Sequence, residues 1–165
     1  MGMVACFAAT DAATLRGLQA DPGLIQDFLY PDDGEGEPPH YVDLDKGWHC
    51  IHFMLVGEAE GGEPPLSWAI LGGDEVGDEV GYGPARFLQP DRVRAVATAL
   101  SSMDDETFKR RFEPHAMQAA DVYLSEMCVR DGDEALEYLL ENYRSLVAFY
   151  RGAADRGDGA ILWVS

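Results

Sequence analysis

The chain has 165 residues, of which 47% are hydrophobic and 25% charged, values typical of one globular domain with a buried core. Its formal net charge is −18, because 30 acidic residues outnumber 12 lysines and arginines. This charge argues against nucleic-acid binding and against anionic membranes, since both need basic side chains. An acidic surface that maintains solubility is the simplest explanation; a basic protein partner, a cationic ligand or an acidic decoy for a nucleic-acid binder are the alternatives.

The cysteines and the chain start indicate a cellular compartment. Cys6, Cys50 and Cys128 are odd in number and widely separated, which is typical of reduced thiols in a cytoplasm. Neither a signal peptide nor a run of about 20 apolar residues is visible, so we expect a soluble cytoplasmic protein. The excess of arginine over lysine, with abundant alanine and glycine, indicates a bacterial source with a GC-rich genome.

The first part of the chain predicts a strand, short helices and a loop. Residues 3–9 are small and apolar and predict a buried strand, after which Thr10 or Asp11 begins a short helix. Pro22 suits the first turn of a second helix. The apolar stripe of that helix, which we expect to face the core, comprises Leu24, Ile25, Phe28 and Leu29. Residues 31–40 are rich in proline, glycine and acid and predict an exposed, mobile loop.

The middle of the chain predicts one short helix and two irregular segments. Residues 65–71 predict about two helical turns with apolar side chains inward. Residues 74–81 contain Gly-Asp-Glu-Val-type copies in tandem, but they lack the ligand spacing of an EF-hand calcium loop and predict a solvated acidic loop. Residues 83–88 predict a short extended segment without a phosphate-binding glycine pattern.

The second half predicts mainly helices. One begins at Pro90, and another begins at Asp104 with acidic residues and ends with basic ones, as the helix dipole favours. Residues 114–123 predict a helix with Met117 and Ala120 inward. The longest helix follows a capping-box pattern at residues 131–134 and extends to about residue 152.

Residues 160–164 have a strong strand pattern, and we expect them to pair with residues 3–9 because both segments are too apolar to stay exposed. The predicted fold is α+β, a predominantly helical single domain spanning residues 1–165. Its sheet is small, mainly antiparallel and formed by the N- and C-terminal strands.

Residues 43–57 concentrate the side chains that are capable of chemistry. Asp43 or Asp45 is suited to cap a helix that ends at Gly57. Apolar residues occur on both sides of this helix, so we expect it to be buried in the middle of the fold.

Asp45, His49 and His52 fall on one side of the predicted helix. They are explained either as a capping aspartate with histidines hydrogen-bonded in the core, or as part of a ligand pocket or acid–base site. A metal site is the weakest alternative, because zinc proteases place two histidines four residues apart and here the separation is three.

The central segment also carries a family resemblance. The motifs are Leu44-Asp45-Lys46, Trp48, His52-Phe53, Leu55 and Gly57, followed by Pro65-Leu66-Ser67 and Ala69-Ile70-Leu71-Gly72. With Gly83-Pro84-Ala85-Arg86 further on, the whole chain resembles the YfbM-like family of bacterial proteins, a domain of unknown function. The resemblance implies a fold and no established activity. His52 fits the family pattern and His49 departs from it, which favours Asp45, Lys46, Trp48 and His52 as the residues to test.

The chain contains no Gly-x-Ser-x-Gly elbow, P-loop or dinucleotide fingerprint. We therefore expect a non-catalytic protein that binds a protein partner or a small-molecule ligand, without a cofactor. The alternative is a small-molecule enzyme with Asp45 and His52 as an acid–base pair. The candidate ligand-binding residues are Asp43, Asp45, Lys46, Trp48, His49 and His52.

Overall fold

A five-stranded antiparallel sheet forms the centre of the computed structural model, which describes residues 2–165. Its spatial order is β2-β1-β5-β4-β3. The strands are β1 (Ala5–Thr10), β2 (Val42–Asp43), β3 (Asp74–Gly81), β4 (Gly83–Leu88) and β5 (Gly159–Val164). As the sequence predicts, the first and last strands pair, with Ala5 opposite Val164 and Thr10 opposite Gly159.

Helices cover both faces of this sheet. They are α1 (Ala12–Ala20), α2 (Ile25–Leu29), α3 (Trp48–Val56), α4 (Trp68–Leu71), α5 (Pro90–Ser101), α6 (Asp105–Arg110), α7 (Pro114–Ala119), α8 (Ser125–Asp131) and α9 (Asp133–Arg156). The predicted α+β class, mostly helical with the terminal strands in an antiparallel sheet, is confirmed. Within the described residues, none of the helices combines the length and the hydropathy needed to cross a lipid bilayer.

The two faces of the sheet contribute to two separate cores, because successive strand side chains point to opposite sides. Phe7 and Leu162 lie in the larger core, which also contains buried residues of α3, α5 and α9. Cys6 and Trp163, their neighbours along the strands, lie in the smaller core with α1 and α2. Both faces are covered, which explains why β1 and β5 are apolar at nearly every position.

Two helices begin with an aspartate cap. The Asp11 carboxylate accepts a hydrogen bond from the Thr14 N–H at 2.7 Å, and Asp104 accepts one from Thr107 at 2.8 Å. The predicted capping box before α9 is wrong, because Gly132 occupies the cap position without a side-chain hydrogen bond. This helix also continues to Arg156, beyond the predicted end.

The predicted acidic loop at residues 74–81 is wrong, since this segment is the edge strand β3 and pairs with β4. Val76 and Val80 pack against the smaller core, while the acidic side chains between them are exposed. An edge strand needs few apolar side chains, and charged ones protect its open edge from further pairing. The acidic composition therefore indicated solvent exposure correctly and secondary structure incorrectly.

Three smaller predictions also fail. Leu24 is 51% exposed, because it ends a 3₁₀ turn before α2 instead of continuing the apolar stripe. Ala120 is exposed because α7 ends at Ala119. The helix predicted at residues 65–71 is reduced to the single turn of α4.

Candidate functional site

The central helix α3 is buried, as its two-sided apolar pattern predicts. Trp48 is 7% exposed, and the residues between it and Val56 are buried except His49, which is half-buried. The indole N–H of Trp48 donates to the carbonyl of Met3 at 2.9 Å, which connects the helix to the start of the chain. The helical part of the predicted site is therefore an interior element, whereas Asp45 and Lys46 before it are exposed.

The predicted carboxylate cap of α3 is wrong. The helix begins at Trp48 after a 3₁₀ turn over Asp45–Gly47, and Gly47 at the cap position makes no side-chain hydrogen bond. Asp43 instead accepts a hydrogen bond from the backbone N–H of Asp45 at 2.9 Å. The Asp45 carboxylate accepts one from the Tyr138 hydroxyl of α9 at 2.7 Å. Burial, followed by this carboxylate, raises the pKa of Tyr138.

His49 uses both ring nitrogens for backbone hydrogen bonds. The N–H of Tyr123 donates to Nδ1 at 2.8 Å, so the neutral ring carries its proton on Nε2, which donates to the carbonyl of Ala59 at 2.7 Å. The ring also stacks on Trp48, with centroids 5.0 Å apart. His49 thus joins three segments of the chain, in agreement with the interpretation of hydrogen-bonded core histidines.

His52 is fully buried, and neither ring nitrogen has a hydrogen-bond partner within residues 2–165. Burial lowers the pKa of His52 to about 4, and the nearby His49 ring acts in the same direction. The Gly61 backbone opposes both and is the smallest of the three influences. His52 is therefore a neutral interior side chain near pH 7.

The structure does not assemble the predicted acid–base pair. Asp45 is exposed and hydrogen-bonded to α9, whereas His52 is enclosed in the larger core. Lys46 is exposed, and its side chain packs closely over Gly2. A Cβ added to Gly2 would lie 2.8 Å from Lys46 Cε. Among residues 2–165, no three His, Cys, Asp or Glu side chains gather in a group that could hold a metal ion.

A different group of side chains surrounds a cavity of about 130 Å³ on the opposite face of the sheet, beside the smaller core. We call it the loop cavity, because part of its wall belongs to the loop at residues 31–40. Its lining residues are Cys6, Leu29, Tyr30, Gly36, Glu37, Pro38, Tyr41, Trp163 and Ser165.

Three aromatic residues border the loop cavity, namely Tyr30, Tyr41 and Trp163, of which Trp163 is only 1% exposed. The centroids of Tyr30 and Trp163 lie 6.4 Å apart with the ring planes at 83°. Those of Tyr41 and Trp163 lie 6.1 Å apart at 45°. The rings are therefore inclined to one another and do not stack face to face.

Hydrogen bonds hold these rings in place. The indole N–H of Trp163 donates to the Tyr30 hydroxyl at 2.9 Å, and that hydroxyl donates to the carbonyl of Val80 at 3.3 Å. The Tyr41 hydroxyl donates to the Asp43 carboxylate at 3.4 Å. The Cys6 sulfur lies 3.5 Å from that hydroxyl.

Three titratable groups of the wall are neutral near pH 7. Burial raises the pKa of the Cys6 thiol and of the Tyr30 and Tyr41 hydroxyls, so all three stay protonated near pH 7. Glu37 is exposed and lines the cavity as its only residue of an acidic or basic type.

Sequence reasoning missed the loop cavity because its residues come from distant parts of the chain. Tyr30 and Trp163 are separated by 133 positions and meet only when β1 and β5 pair and the loop at residues 31–40 folds back. The available signal was the pair of tyrosines, Tyr30 and Tyr41, which flank a loop rich in glycine and proline.

Comparisons with known proteins agree with this fold. No curated protein matches the chain. The crystal structure of YfbM from Escherichia coli, a protein of unknown function, is similar with a TM-score of 0.72, over 98% of this chain and 99% of that chain. The two sequences are 20% identical, so this likeness indicates a shared fold. The family model for a domain of unknown function, DUF1877, matches residues 1–163, and the chain therefore belongs to this YfbM-like family.

Proposed function

We propose that the protein is a non-catalytic binding protein, and that a small ligand, or one side chain of a partner protein, occupies the loop cavity. The observation that carries the proposal is the convergence of three aromatic rings and several polar atoms on one lined space. Its volume of about 130 Å³ is close to the roughly 150 Å³ in which a benzene molecule fits. The cavity thus suits one chemical group and is too small for a whole cofactor.

The geometry gives little support to the acid–base alternative. A general base must lie within hydrogen-bond reach of the proton it removes, directly or through one water. The Asp45 carboxylate accepts a hydrogen bond from the Tyr138 hydroxyl, and His52 is enclosed without a carboxylate partner. The two groups proposed as a pair therefore occupy different environments.

Nucleophilic catalysis in the loop cavity is equally disfavoured. Cys6 is the strongest nucleophile among the lining residues, but a thiolate is the reactive form and burial raises the pKa of this thiol. No histidine lines the cavity to act as its base. The cavity wall therefore favours holding a ligand over transforming one.

Fluorine NMR of protein labelled with 5-fluorotryptophan tests this proposal. The chain has three tryptophans, and of these only Trp163 lines the loop cavity. We expect members of a set of small cationic, neutral and anionic compounds to shift the Trp163 resonance in a saturable way. Trp48 and Trp68 serve as internal controls, and Trp163→Phe assigns the signal.

The outcome that rejects the proposal is equally clear. If no compound of the three classes moves the Trp163 resonance, the loop cavity is a packing gap and the proposed function is wrong. If compounds shift all three tryptophan resonances together, they act on the protein as a whole and the proposal also fails.

A further inference from the structure

We infer that Cys50 of α3 and Cys128 of α8 are a reversible modification site, at which a hydroperoxide oxidises the two thiols to a disulfide that links α8 covalently to the central helix. Both residues lie in the larger core, on the opposite face of the sheet from the loop cavity, so the inference is independent of the proposed function. Three observations carry it: the contact between the sulfurs, their hydrogen bonds, and the construction of α8.

The two sulfur atoms are in contact although their residues are 78 positions apart in the chain. Cys128 Sγ lies 3.5 Å from Cys50 Sγ, and both side chains are fully buried. A disulfide has a sulfur–sulfur distance of about 2.05 Å, so the pair needs a modest approach of α8 and α3 or a rotation of the side chains. Cys6 lies in the smaller core beside the hydroxyls of Tyr41 and Ser165, so only Cys50 and Cys128 are placed to react with each other.

The thiols form a short chain of hydrogen bonds. The Cys128 S–H donates to Cys50 Sγ, and the Cys50 S–H donates to the carbonyl of Tyr123 at 3.4 Å. Among residues 2–165, no third His, Cys, Asp or Glu side chain joins the two thiols in a group that could hold a metal ion. The geometry therefore suits a reaction of the two sulfurs with each other.

The helix α8 provides the route by which a small oxidant reaches this buried pair. It has seven residues, and it begins after Leu124, which has a left-handed φ of 69° and makes no side-chain capping hydrogen bond. Asp121, in the same connection from α7, has a φ of 56°. Such conformations are unfavourable for residues with a side chain, and short uncapped helices open locally more easily than a packed core. Opening of α8 exposes Cys128 and then Cys50.

The reaction consumes one hydroperoxide for each pair of thiols. Hydrogen peroxide converts the first thiol into a sulfenic acid and releases one water molecule. The second thiol then attacks the sulfenic sulfur, the S–S bond forms, and the hydroxyl group leaves with the thiol proton as a second water. The two thiols lose two electrons in total, and the O–O bond of the peroxide takes them up. A dithiol reductant restores both thiols by exchange.

Mass spectrometry of the full-length chain after treatment with hydrogen peroxide tests the inference. We expect the intact mass to fall by about 2 Da without added oxygen, because two hydrogens are lost, and a dithiol to restore it. Peptide mapping without reductant should identify the bond between Cys50 and Cys128. Cys6→Ser should behave as the natural chain does. Cys50→Ser and Cys128→Ser should both abolish the mass loss, and urea melts confirm that the variants are folded.

Several results would overturn the inference. It is wrong if the folded chain keeps both thiols at a peroxide dose that fully oxidises free cysteine, or if Cys50 or Cys128 gains oxygen without forming the bond. A disulfide to Cys6 or between two chains would also reject it. The chain unfolded in urea is the control for geometry, since it should pair its three cysteines without this selectivity. The same exclusive pairing there would mean that the folded contact does not direct the reaction.

Hydrogen exchange measures the consequence for α8. Because the disulfide prevents this helix from leaving α3, we expect the amides of residues 125–131 to exchange at least about threefold more slowly in the oxidised chain. The amides of α5, which carries no cysteine, are the internal control and should be unchanged. Equal exchange of α8 in the reduced and oxidised chains would overturn the claim that the bond holds α8 against α3.

Discussion

The central helix α3 and the loop cavity lie on opposite faces of the same sheet and differ in how their polar groups are used. The groups near α3 are close in sequence. However, Trp48, His49 and Asp45 are already hydrogen-bonded to residues in other parts of the chain. The loop cavity collects unremarkable residues from distant positions and surrounds a space with them. A binding site therefore needs free space as well as suitable groups, and α3 supplies only the groups.

His52 is the opposite case, a side chain with polar atoms unused within residues 2–165 but no free space around it. Its ring nitrogens are unused within the described residues, but the side chain is completely enclosed. An unused polar group without space around it affects stability and pH dependence and offers nothing to a ligand. The comparison therefore predicts that changes near α3 alter folding stability, whereas changes at the loop cavity alter ligand binding.

The largest expected effect is that of Trp48→Ala. Removing this buried indole leaves a cavity and an unpaired Met3 carbonyl, so we expect the free energy of unfolding to fall by about 3–5 kcal/mol. Urea melts measure it. Trp68→Ala should cost less, because Trp68 is half-buried with the Arg92 guanidinium over its ring. A loss below about 1 kcal/mol for Trp48→Ala would contradict the interior placement of α3.

The second effect is a pH dependence due to His52. The unfolded chain binds a proton at this residue below its ordinary pKa of 6.5, whereas the folded protein binds one only near pH 4. The unfolded state thus holds more protons between these values, and stability falls as the pH decreases through this interval. Between pH 7 and pH 5 we expect His52 to remove about 2 kcal/mol from the free energy of unfolding.

His52→Leu isolates this contribution. The variant removes the titration and two unpaired buried nitrogens, so it should lose about 2 kcal/mol less than the natural chain over the same interval. His115→Gln is the control, since His115 is exposed. Parallel pH profiles for His52→Leu and the natural chain would show that His52 is accessible to protons in the folded state.

The third effect concerns the two hydrogen bonds of His49. His49→Leu leaves the Tyr123 N–H and the Ala59 carbonyl without their partner, which should cost about 1–2 kcal/mol in a urea melt. His115→Leu, the same change at an exposed position, should alter stability by less than about 0.5 kcal/mol. Equal losses in the two variants would mean that the His49 contacts contribute nothing to folding.

The sequence predicted what depends on local pattern and missed what depends on distant contacts. The strands β1 and β5 were recognisable because both are apolar at nearly every position, and α3 because apolar residues surround it. The edge strand β3 was not, since its acidic residues resemble those of a loop. The hydrogen bonds of His49 to Ala59 and Tyr123 could not be predicted either, because no periodic pattern in the sequence connects these residues.

The smallest expected effect compares the same chemical change in the two regions. Asp45→Asn replaces the carboxylate that accepts a hydrogen bond from the Tyr138 hydroxyl. Weakening this charge-assisted hydrogen bond should lower the free energy of unfolding by about 1 kcal/mol. Glu37→Gln at the loop cavity should change the free energy of unfolding by less than about 0.5 kcal/mol, because Glu37 is exposed and belongs to a loop. Asparagine tolerates the left-handed backbone of Asp45, at φ 48°, so the substitution itself adds little strain.

Urea melts of the two amide variants, with titrations of a compound that shifts the Trp163 resonance, measure both properties on the same samples. Asp45→Asn should lose stability and keep ligand affinity, whereas Glu37→Gln should keep stability and change ligand affinity, because Glu37 lines the loop cavity. The opposite pattern would place the binding groups near α3 and leave the loop cavity a structural feature. Loss of both properties in one variant would mean that ligand binding and folding stability are coupled across the sheet, and the contrast between its two faces would then be wrong.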